Sequence, residues 1–255
     1  MPDRERVYRT EALILKHSDF GEADRLVTVF TPYYGKLRLL AKGARKPSSR
    51  KAGHLESFTR TQLLVARGRN LDIITQAQMV ESYAALRRDL WRVSNAYYIG
   101  ELADAFGEEL AENRPMYDLL CRALGWVSEL PNLRQALRVF ELRLLDVVGY
   151  RPELFHCVGC KAAIEPDDNY FSAQEGGVLC PRCGKGRGGA RTIPLAVLKV
   201  LRHMQTHDDA TCLQLRLQPS TLSMMEQVQA EYLTHVLERR LKSVEFLHLL
   251  RPPTA

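Results

Sequence analysis

The stretch that decides the fold of the first third of the chain is RLVTVFTPYYGKLRLLA, residues 25–41. Its first half is rich in β-branched and aromatic residues, which favour a strand over residues 25–31. The turn sequence Pro32-Tyr-Tyr-Gly35 follows, and residues 36–41 begin another strand. The stretch therefore predicts two neighbouring strands that are joined by a short turn.

Three further strands are expected around this pair. Residues 7–16 are rich in Leu, Ile and Tyr, and a polar turn is expected at residues 17–21. Residues 59–66 and 71–79 flank a polar turn at residues 67–70, as in a hairpin. A long loop, residues 43–57, separates the third strand from the fourth. Five short strands in this arrangement predict a small barrel, for which the five-stranded OB-fold, an oligonucleotide-binding architecture, is the natural candidate.

From residue 82 onward, apolar residues recur at three- and four-residue spacing, which indicates helices. Asn132 is a good N-cap, and Gln135 stands three positions later, as in a capping box. The expected helices cover residues 101–110, 115–130, 132–148, 194–205 and 220–241. We predict an α+β multidomain protein with a barrel domain at 1–80, a helical body at 81–149 and 193–255, and a cysteine-rich insert at 150–192.

The positive charge is concentrated in the predicted barrel. Residues 1–80 contain 15 Lys and Arg against 8 Asp and Glu, whereas residues 81–255 contain 21 against 22. Within residues 36–55 there are seven cations and no acid. The positive charges of this segment repel one another unless a polyanion lies against them, and nucleic acid is the commonest such partner. A merely solubilising surface is the alternative.

The candidate nucleic-acid-binding residues combine this basic segment with two arginines of the following hairpin and two nearby tyrosines. Phe30 lies next to them and is a further candidate for stacking on bases. For each aromatic residue, packing inside the barrel is the alternative. The candidates are Lys36, Arg38, Lys42, Arg45, Lys46, Arg50, Lys51, Arg67, Arg69, Tyr33 and Tyr34.

Four of the six cysteines form two knuckles, Cys157-x2-Cys160 and Cys180-x2-Cys183, separated by nineteen residues. Each knuckle supplies two thiolates from one tight turn, and four thiolates are the ligand set of a structural Zn²⁺ ion. Gly159 and Gly184 would allow the close backbone approach that such knuckles need. His156 adjoins Cys157 but would be a fifth ligand, so we do not expect it to bind the metal. We expect one structural zinc per chain. The other two cysteines, Cys121 and Cys212, are expected to be packed in apolar surroundings.

No motif in the sequence points to catalysis. There is no P-loop, and the seven histidines show no metalloprotease spacing. The acidic pair Asp167-Asp168 is read as an isolated turn, so we expect a protein that is not an enzyme. No apolar run is long enough to span a membrane, and the N-terminal residues lack the apolar segment of a secretory signal, so a cytoplasmic protein is expected.

Two groups of residues resemble one family. The first consists of residues 21–31 (GEADRLVTVFT), Gly35-Lys36, residues 41–45 (AKGAR) and Ser48-Ser49-Arg50. The second is the run from Gly149 through Pro152 into the first knuckle, Gly176-Gly177 and the second knuckle. In this order they resemble the bacterial recombination-mediator RecO family over nearly the whole chain.

The resemblance implies an OB-fold that binds single- and double-stranded DNA, anneals complementary strands and associates with the nucleoid when on DNA. It also implies two partners, RecR and the C-terminal tail of single-stranded DNA-binding protein (SSB), with which the recombinase is loaded. A site for that tail should combine an apolar pocket with a cation. Arg134 and Arg138 are candidates for the cation, and a solvated helix face is the alternative.

Two other functions are compatible with the same sequence. One is a zinc-stabilised protein-interaction adaptor whose basic loop docks on an acidic protein. The other is an RNA-binding OB-fold factor without annealing activity. Salt-dependent DNA affinity separates the mediator from the adaptor, and competition between RNA and DNA of equal length separates it from the RNA-binding factor.

Overall fold

The structure is a computed structural model that describes residues 6–250, apart from the side chains at positions 244–246 and 248. The described residues form two compact units. The first comprises residues 6–129 together with 242–250, and the second comprises residues 130–241. The division therefore falls just before Asn132, inside the region that the sequence assigns to the first helical part. The two units are described separately below.

The first unit contains five strands in the N-terminal region, as the sequence predicts. They pair in the order β1-β2-β3-β5-β4, and β4 returns to β1, so that the sheet closes on itself. Only the short β3–β5 pairing is parallel. The bounds are Val7–Phe20 (β1), Asp24–Thr31 (β2), Gly35–Ala41 (β3), Arg60–Ala66 (β4) and Asp72–Glu81 (β5).

The main difference from the prediction lies at the end of β1. The sequence predicts a turn from His17 onward, but β1 continues to Phe20, which pairs with Asp24 of β2. The turn is therefore only three residues long and begins at Gly21, whose φ is +58°. Glycine adopts such a left-handed conformation without steric cost.

The turn between β2 and β3 is held by the side chain of Thr31. Its hydroxyl donates to the Gly35 carbonyl oxygen at 3.0 Å and accepts from the Tyr34 amide at 3.1 Å. Gly35 has a φ of +57°, and a Cβ atom there would lie 2.0 Å from the carbonyl oxygen of Ala111. A glycine is therefore required at this position for both conformational and steric reasons.

Side chains alternate between the two faces of β3. Leu37, Leu39 and Ala41 point into a core that also contains Val27, Val29, Leu63, Val65 and Ile74. Lys36 and Arg38 stand on the other face, as the two-residue period of a strand requires. The hydrophobic alternation of the sequence therefore carries the cations to the outside of the barrel.

Eight α-helices follow or interrupt the strands in the described residues, besides two short 3-10 helices at Ala52–His54 and Ala84–Arg88. Their bounds are Leu90–Phe106 (α1), Arg114–Glu129 (α2), Leu133–Val147 (α3), Pro181–Gly184 (α4), Leu195–Thr206 (α5), Asp209–Leu213 (α6), Pro219–Leu237 (α7) and Lys242–Leu250 (α8). Of these, α1, α2 and α8 belong to the first unit, and the others to the second.

The prediction for the first of these helices is wrong at both ends. The expected helix covers residues 101–110, but α1 begins at Leu90, where the Asp89 side chain accepts from the amides of Trp91 and Arg92. It ends at Phe106, because the following backbone pairs with the start of β3. Lys36 N donates to Glu108 O at 3.1 Å, and Leu110 N donates to Lys36 O at 3.3 Å.

The second unit combines helices with a small three-stranded sheet. The strands are Asn169–Ser172 (β6), Gly177–Leu179 (β7) and Ala190–Ile193 (β8), in the order β7-β6-β8. The N-cap that the sequence predicts is confirmed, since the Asn132 side chain accepts from Gln135 N at 3.2 Å. The Gln135 side chain accepts from the Asn132 side-chain amide at 3.1 Å, whereas in a capping box it would accept from the backbone amide. None of the helices formed by the described residues has the length and apolarity needed to cross a bilayer.

The two arginines considered for a tail-binding site lie inside the second unit. Arg138 is buried and donates to Glu141 Oε1 at 2.6 Å. Arg134 donates to Ser223 and to Glu226, at 3.0 and 3.2 Å. The alternative that both arginines lie on a solvated helix face is therefore wrong. Neither guanidinium is available to an incoming carboxylate in this arrangement.

Candidate nucleic-acid interface and metal centre

The basic loop between β3 and β4, residues 42–59, is pinned to the barrel at three places. Asp24 Oδ1 accepts from Gly43 N at 2.7 Å near the beginning of the loop. Arg45 donates to the carbonyl oxygens of Gly21 and Glu22, both at 3.2 Å. Lys51 Nζ donates to the carbonyl oxygen of Ile74 at 3.0 Å. The loop therefore presents its remaining cations from a defined backbone.

Five of the predicted DNA-binding cations are exposed and carry no ion pair. No carboxylate that the structure describes lies within ion-pair distance of Arg38, Lys42, Lys46, Arg50 or Arg69. An exposed cation that is not already neutralised keeps its full attraction for a phosphate. These five residues are therefore the best candidates for phosphate contacts among the predicted DNA-binding residues.

The other four predicted cations already interact with groups of the protein. Lys36 Nζ donates to the backbone oxygen of Asp104 at 2.7 Å and lies 3.4 Å from its carboxylate. Arg45 lies 3.3 Å from Asp19, which is exposed. Desolvation by burial lowers the pKa of Lys51, although the charge of Asp24 opposes this effect. The fourth, Arg67, lies 3.8 Å from the Asp72 carboxylate and 4.7 Å above the Tyr8 ring.

The aromatic candidates differ in their availability. Tyr33 is 52% exposed, and its hydroxyl accepts from Arg114 at 2.8 Å. Tyr34 packs against the Tyr8 ring, with the ring centroids 4.9 Å apart, and is half-buried. Phe30 is only 1% exposed, because the Gly107 backbone after α1 covers its ring. Phe30 is therefore a packed residue, which is the alternative given above for each aromatic candidate, and Tyr33 is the one best placed to meet a base.

Two grooves on the barrel contain cations that sequence reasoning missed. One, of about 340 Å³, joins Lys16 to the predicted Lys36 and Arg38. The other, of about 480 Å³, joins Arg9 to the predicted Arg50 and Lys51. The alternation of buried and exposed residues along β1 puts Arg9 on an outer face, but only the pairing of strands shows which cations become its neighbours.

The four knuckle cysteines come together in the second unit. One ligand atom from each, the Sγ atoms of Cys157, Cys160, Cys180 and Cys183, lies within 4.8 Å of all the others. Cys157 is buried, whereas the other three are at least partly exposed. This arrangement could hold a metal ion, as the sequence spacing predicts.

The backbone forms both knuckles by tight turns. Lys161 N donates to Cys157 O at 2.8 Å in the first, and Cys183 N donates to Cys180 O at 3.0 Å in the second. A Cβ atom on Gly184 would lie 2.5 Å from the Tyr170 side chain, which confirms the close approach expected at this glycine. The second knuckle therefore depends on glycine at position 184.

The donor set fits a soft divalent cation. The amide of Ala162 lowers the pKa of the Cys160 thiol to about 6, which favours a thiolate. The Cys183 thiol shows the opposite effect, because hydrogen bonds to its neighbouring sulfurs raise its pKa to about 12. Crowded sulfurs cannot all ionise without a compensating positive charge. A metal cation held by these residues would supply that charge and favour the thiolate form of its ligands.

The two remaining cysteines are shielded, but polar or charged side chains lie beside both of them, so the expected apolar surroundings are not found. Burial raises the pKa of the Cys121 thiol, which also lies near the hydroxyl groups of Tyr83 and Tyr117. Cys212 is buried in the second unit, and burial raises the pKa of its thiol too. Both thiols therefore stay protonated and inert at neutral pH.

The comparisons with known proteins agree on one family. Residues 5–83 match the family model "Recombination protein O N terminal", and residues 87–245 match "Recombination protein O C terminal". The chain is 44% identical to the DNA repair protein RecO of Roseiflexus sp. (strain RS-1), over 97% of this chain and 87% of that relative.

Similarity extends to more distant relatives of the same name. The DNA repair protein RecO of Dehalococcoides mccartyi (strain ATCC BAA-2266 / KCTC 15142 / 195) is 35% identical, over 95% of this chain and 96% of that protein. The DNA repair protein RecO of Symbiobacterium thermophilum is 34% identical, over 96% of this chain and 98% of that protein. The family models and the full-length relatives confirm the resemblance, and the chain belongs to the RecO family.

Proposed function

We propose that the chain is a DNA repair and recombination mediator whose N-terminal OB-fold barrel binds single- and double-stranded DNA. The observation that carries this proposal is a set of exposed cations that form no ion pair with any carboxylate that the structure describes: Arg38, Lys42, Lys46, Arg50 and Arg69. Each supplies a phosphate contact that releases condensed counterions, so that binding weakens steeply as salt rises. The repair function of the named relatives supports DNA as the polyanion.

The same surface supports the annealing of complementary strands. Two phosphate backbones repel each other, and a surface with excess positive charge neutralises both while their bases find register. Annealing of this kind needs no catalytic group, only charge and a geometry that leaves bases free to pair. In the mediator role, the chain acts with RecR and with the SSB tail to load the recombinase.

Annealing can be tested with two complementary strands that carry a donor and an acceptor dye. We compare wild type with a loop variant, Lys42→Ala, Lys46→Ala and Arg50→Ala, and with a control variant that removes the same charge from the second unit, Lys199→Ala, Arg216→Ala and Arg239→Ala. The proposal predicts slower annealing by the loop variant alone. No acceleration by wild type over protein-free strands contradicts an annealing role.

The metal proposed for the four cysteines is a single structural Zn²⁺. Four thiolate ligands leave no open position for water or substrate, so the ion braces residues 150–192 and takes no part in chemistry. Metal analysis of the purified protein should give one zinc per chain, and replacing Cys157 and Cys180 by Ser should abolish it. Full zinc content in that variant overturns the assignment.

A further inference from the structure

A groove of about 480 Å³ lies on the outer face of β1, β4 and β5. Strand pairing places Arg9, Leu64 and Gln76 in one row across the three strands, and Gln62 and Gln78 in the next. Arg50 and Lys51 of the basic loop line the groove as well. It therefore brings together three cations and three amides from distant parts of the sequence.

The lining is suited to an anion. Of the described residues that line the groove, none is acidic. Arg9 and Arg50 are exposed, and neither forms an ion pair within residues 6–250. The nearest acid in the adjoining row, Glu11, accepts from the Tyr117 hydroxyl at 2.7 Å and lies 3.7 Å from Arg60, so its charge is directed to those groups. The positive potential of the groove is thus open to a ligand.

The lining is equally informative about which part of a nucleic acid it can hold. Among the described groove residues none is aromatic, whereas proteins that grip single strands through their bases use aromatic stacking platforms. Arginine, lysine, glutamine and threonine are the side chains that bind phosphate and sugar oxygens. The side chains of Gln62, Gln76 and Gln78 are exposed, so their amides can donate to such oxygens.

We propose that this groove, lined by Arg9, Arg50, Lys51, Gln62, Gln76 and Gln78, holds one DNA strand by its sugar–phosphate backbone and leaves the bases facing solvent. The inference rests on the proposed function and adds a site and a binding mode to it. A strand held in this way keeps its Watson–Crick edges available to a second strand. Annealing then follows from the binding geometry.

The test uses fluorescence anisotropy of two labelled probes of equal length, oligo-dT and an oligomer of abasic tetrahydrofuran nucleotides. The groove variant carries Arg9→Ala, Gln76→Ala and Gln78→Ala, which leaves the basic loop intact. A matched control variant carries Arg216→Ala, Gln214→Ala and Gln218→Ala, three exposed residues of the same types in the second unit. Thermal melting of each variant establishes that it is folded.

We expect the affinity of wild type for the abasic probe to lie within about three-fold of its affinity for oligo-dT, because the proposed contacts are to the sugar–phosphate backbone of the DNA. The groove variant should bind both probes about ten-fold more weakly, with a salt slope reduced by about 0.7 for the one lost cation, while the control variant matches wild type.

Two results overturn the inference without touching the proposed function. One is a folded groove variant that binds oligo-dT as tightly as wild type. The other is a wild-type protein that binds oligo-dT but binds the abasic probe more than ten-fold more weakly, since the bases would then be held. Failure of wild type to bind oligo-dT even at low salt overturns the proposed function and the inference together.

Discussion

Asp104 of α1 joins two cations of the barrel surface. Its carboxylate accepts from Lys16 Nζ at 2.5 Å and lies 3.4 Å from Lys36 Nζ, so that one carboxylate occupies the position that a phosphate would take between two lysines. Both lysines line a groove with Arg38, which has no such partner within residues 6–250. If the barrel binds DNA as proposed, Asp104 competes with it for two of the groove cations.

The first prediction concerns this competition. Asp104→Asn should tighten single-stranded DNA binding by about two- to five-fold at low salt, because a partly exposed ion pair contributes only about 0.5–1 kcal/mol. Asp146→Asn makes the same change of charge beside Arg151 in the second unit and serves as the control. Equal affinity of the Asp104 variant and wild type shows that DNA does not use Lys16 and Lys36.

The Asp104 carboxylate should also make the stability of the protein depend on pH. Burial alone would raise the pKa of Asp104, but the hydrogen bonds and charges of Lys16 and Lys36 outweigh it, and the pKa lies below its ordinary value. A depressed native pKa contributes stability above the unfolded-state pKa, and this contribution is lost as the pH falls through the native value. Wild type should therefore be more stable than Asp104→Asn at pH 7, and the difference should shrink in acid. Urea denaturation at a series of pH values measures the difference in unfolding free energy between the two proteins. A difference that does not shrink as the pH falls contradicts this prediction.

Removal of the metal should affect one unit only. The small sheet beside the knuckles has strands of four, three and four residues, too few to form a stable core without the bound ion. We expect chelation to release one equivalent of zinc, to abolish a thermal transition of the second unit and to change DNA affinity by less than about three-fold, since the barrel carries the contacts proposed here. A large loss of DNA binding in protein whose barrel remains folded would instead show that the insert contacts DNA.

Local patterns in the sequence predict much of this molecule. Enrichment in β-branched and aromatic residues and the turn at residues 32–35 locate β2 and β3. The Asn132 cap begins α3 at the right place, and the cysteine spacing predicts a cluster that the fold does assemble. These features depend on neighbours within a few residues, which is why sequence reasoning reaches them.

The errors have a common physical cause. Phe30 stands on an outer face of the barrel, yet the segment after α1 buries it, and Arg134 of α3 is bound by Ser223 and Glu226 of α7. Arg9 gains its groove only because β4 and β5 place glutamines beside it. Each of these outcomes is decided by residues far away in sequence, which periodicity does not report.

The buried pair in the second unit gives a prediction for stability. The side chains of Arg138 and Glu141 are 7% and 1% exposed, and their charged atoms lie 2.6 Å apart. Arg138→Leu should lower the free energy of unfolding by about 3–5 kcal/mol, because it removes the cation nearest a buried carboxylate. The double variant Arg138→Leu, Glu141→Leu should recover most of that loss. Urea denaturation measures both, and a double variant that is less stable than the single one contradicts the interpretation.

The central claim, that the basic barrel binds DNA through phosphate contacts, is tested most directly by the salt dependence of binding. The measurement is fluorescence anisotropy of a labelled strand of about 30 nucleotides, several times the footprint of one OB-fold. It compares wild type with the loop variant and with the control variant that carries Lys199→Ala, Arg216→Ala and Arg239→Ala. Each lost phosphate contact lowers the salt slope for a single strand by about 0.7, so loss of Lys42, Lys46 and Arg50 should flatten it by about 2, while the control keeps the wild-type slope. A loop variant with wild-type affinity and slope would contradict the account.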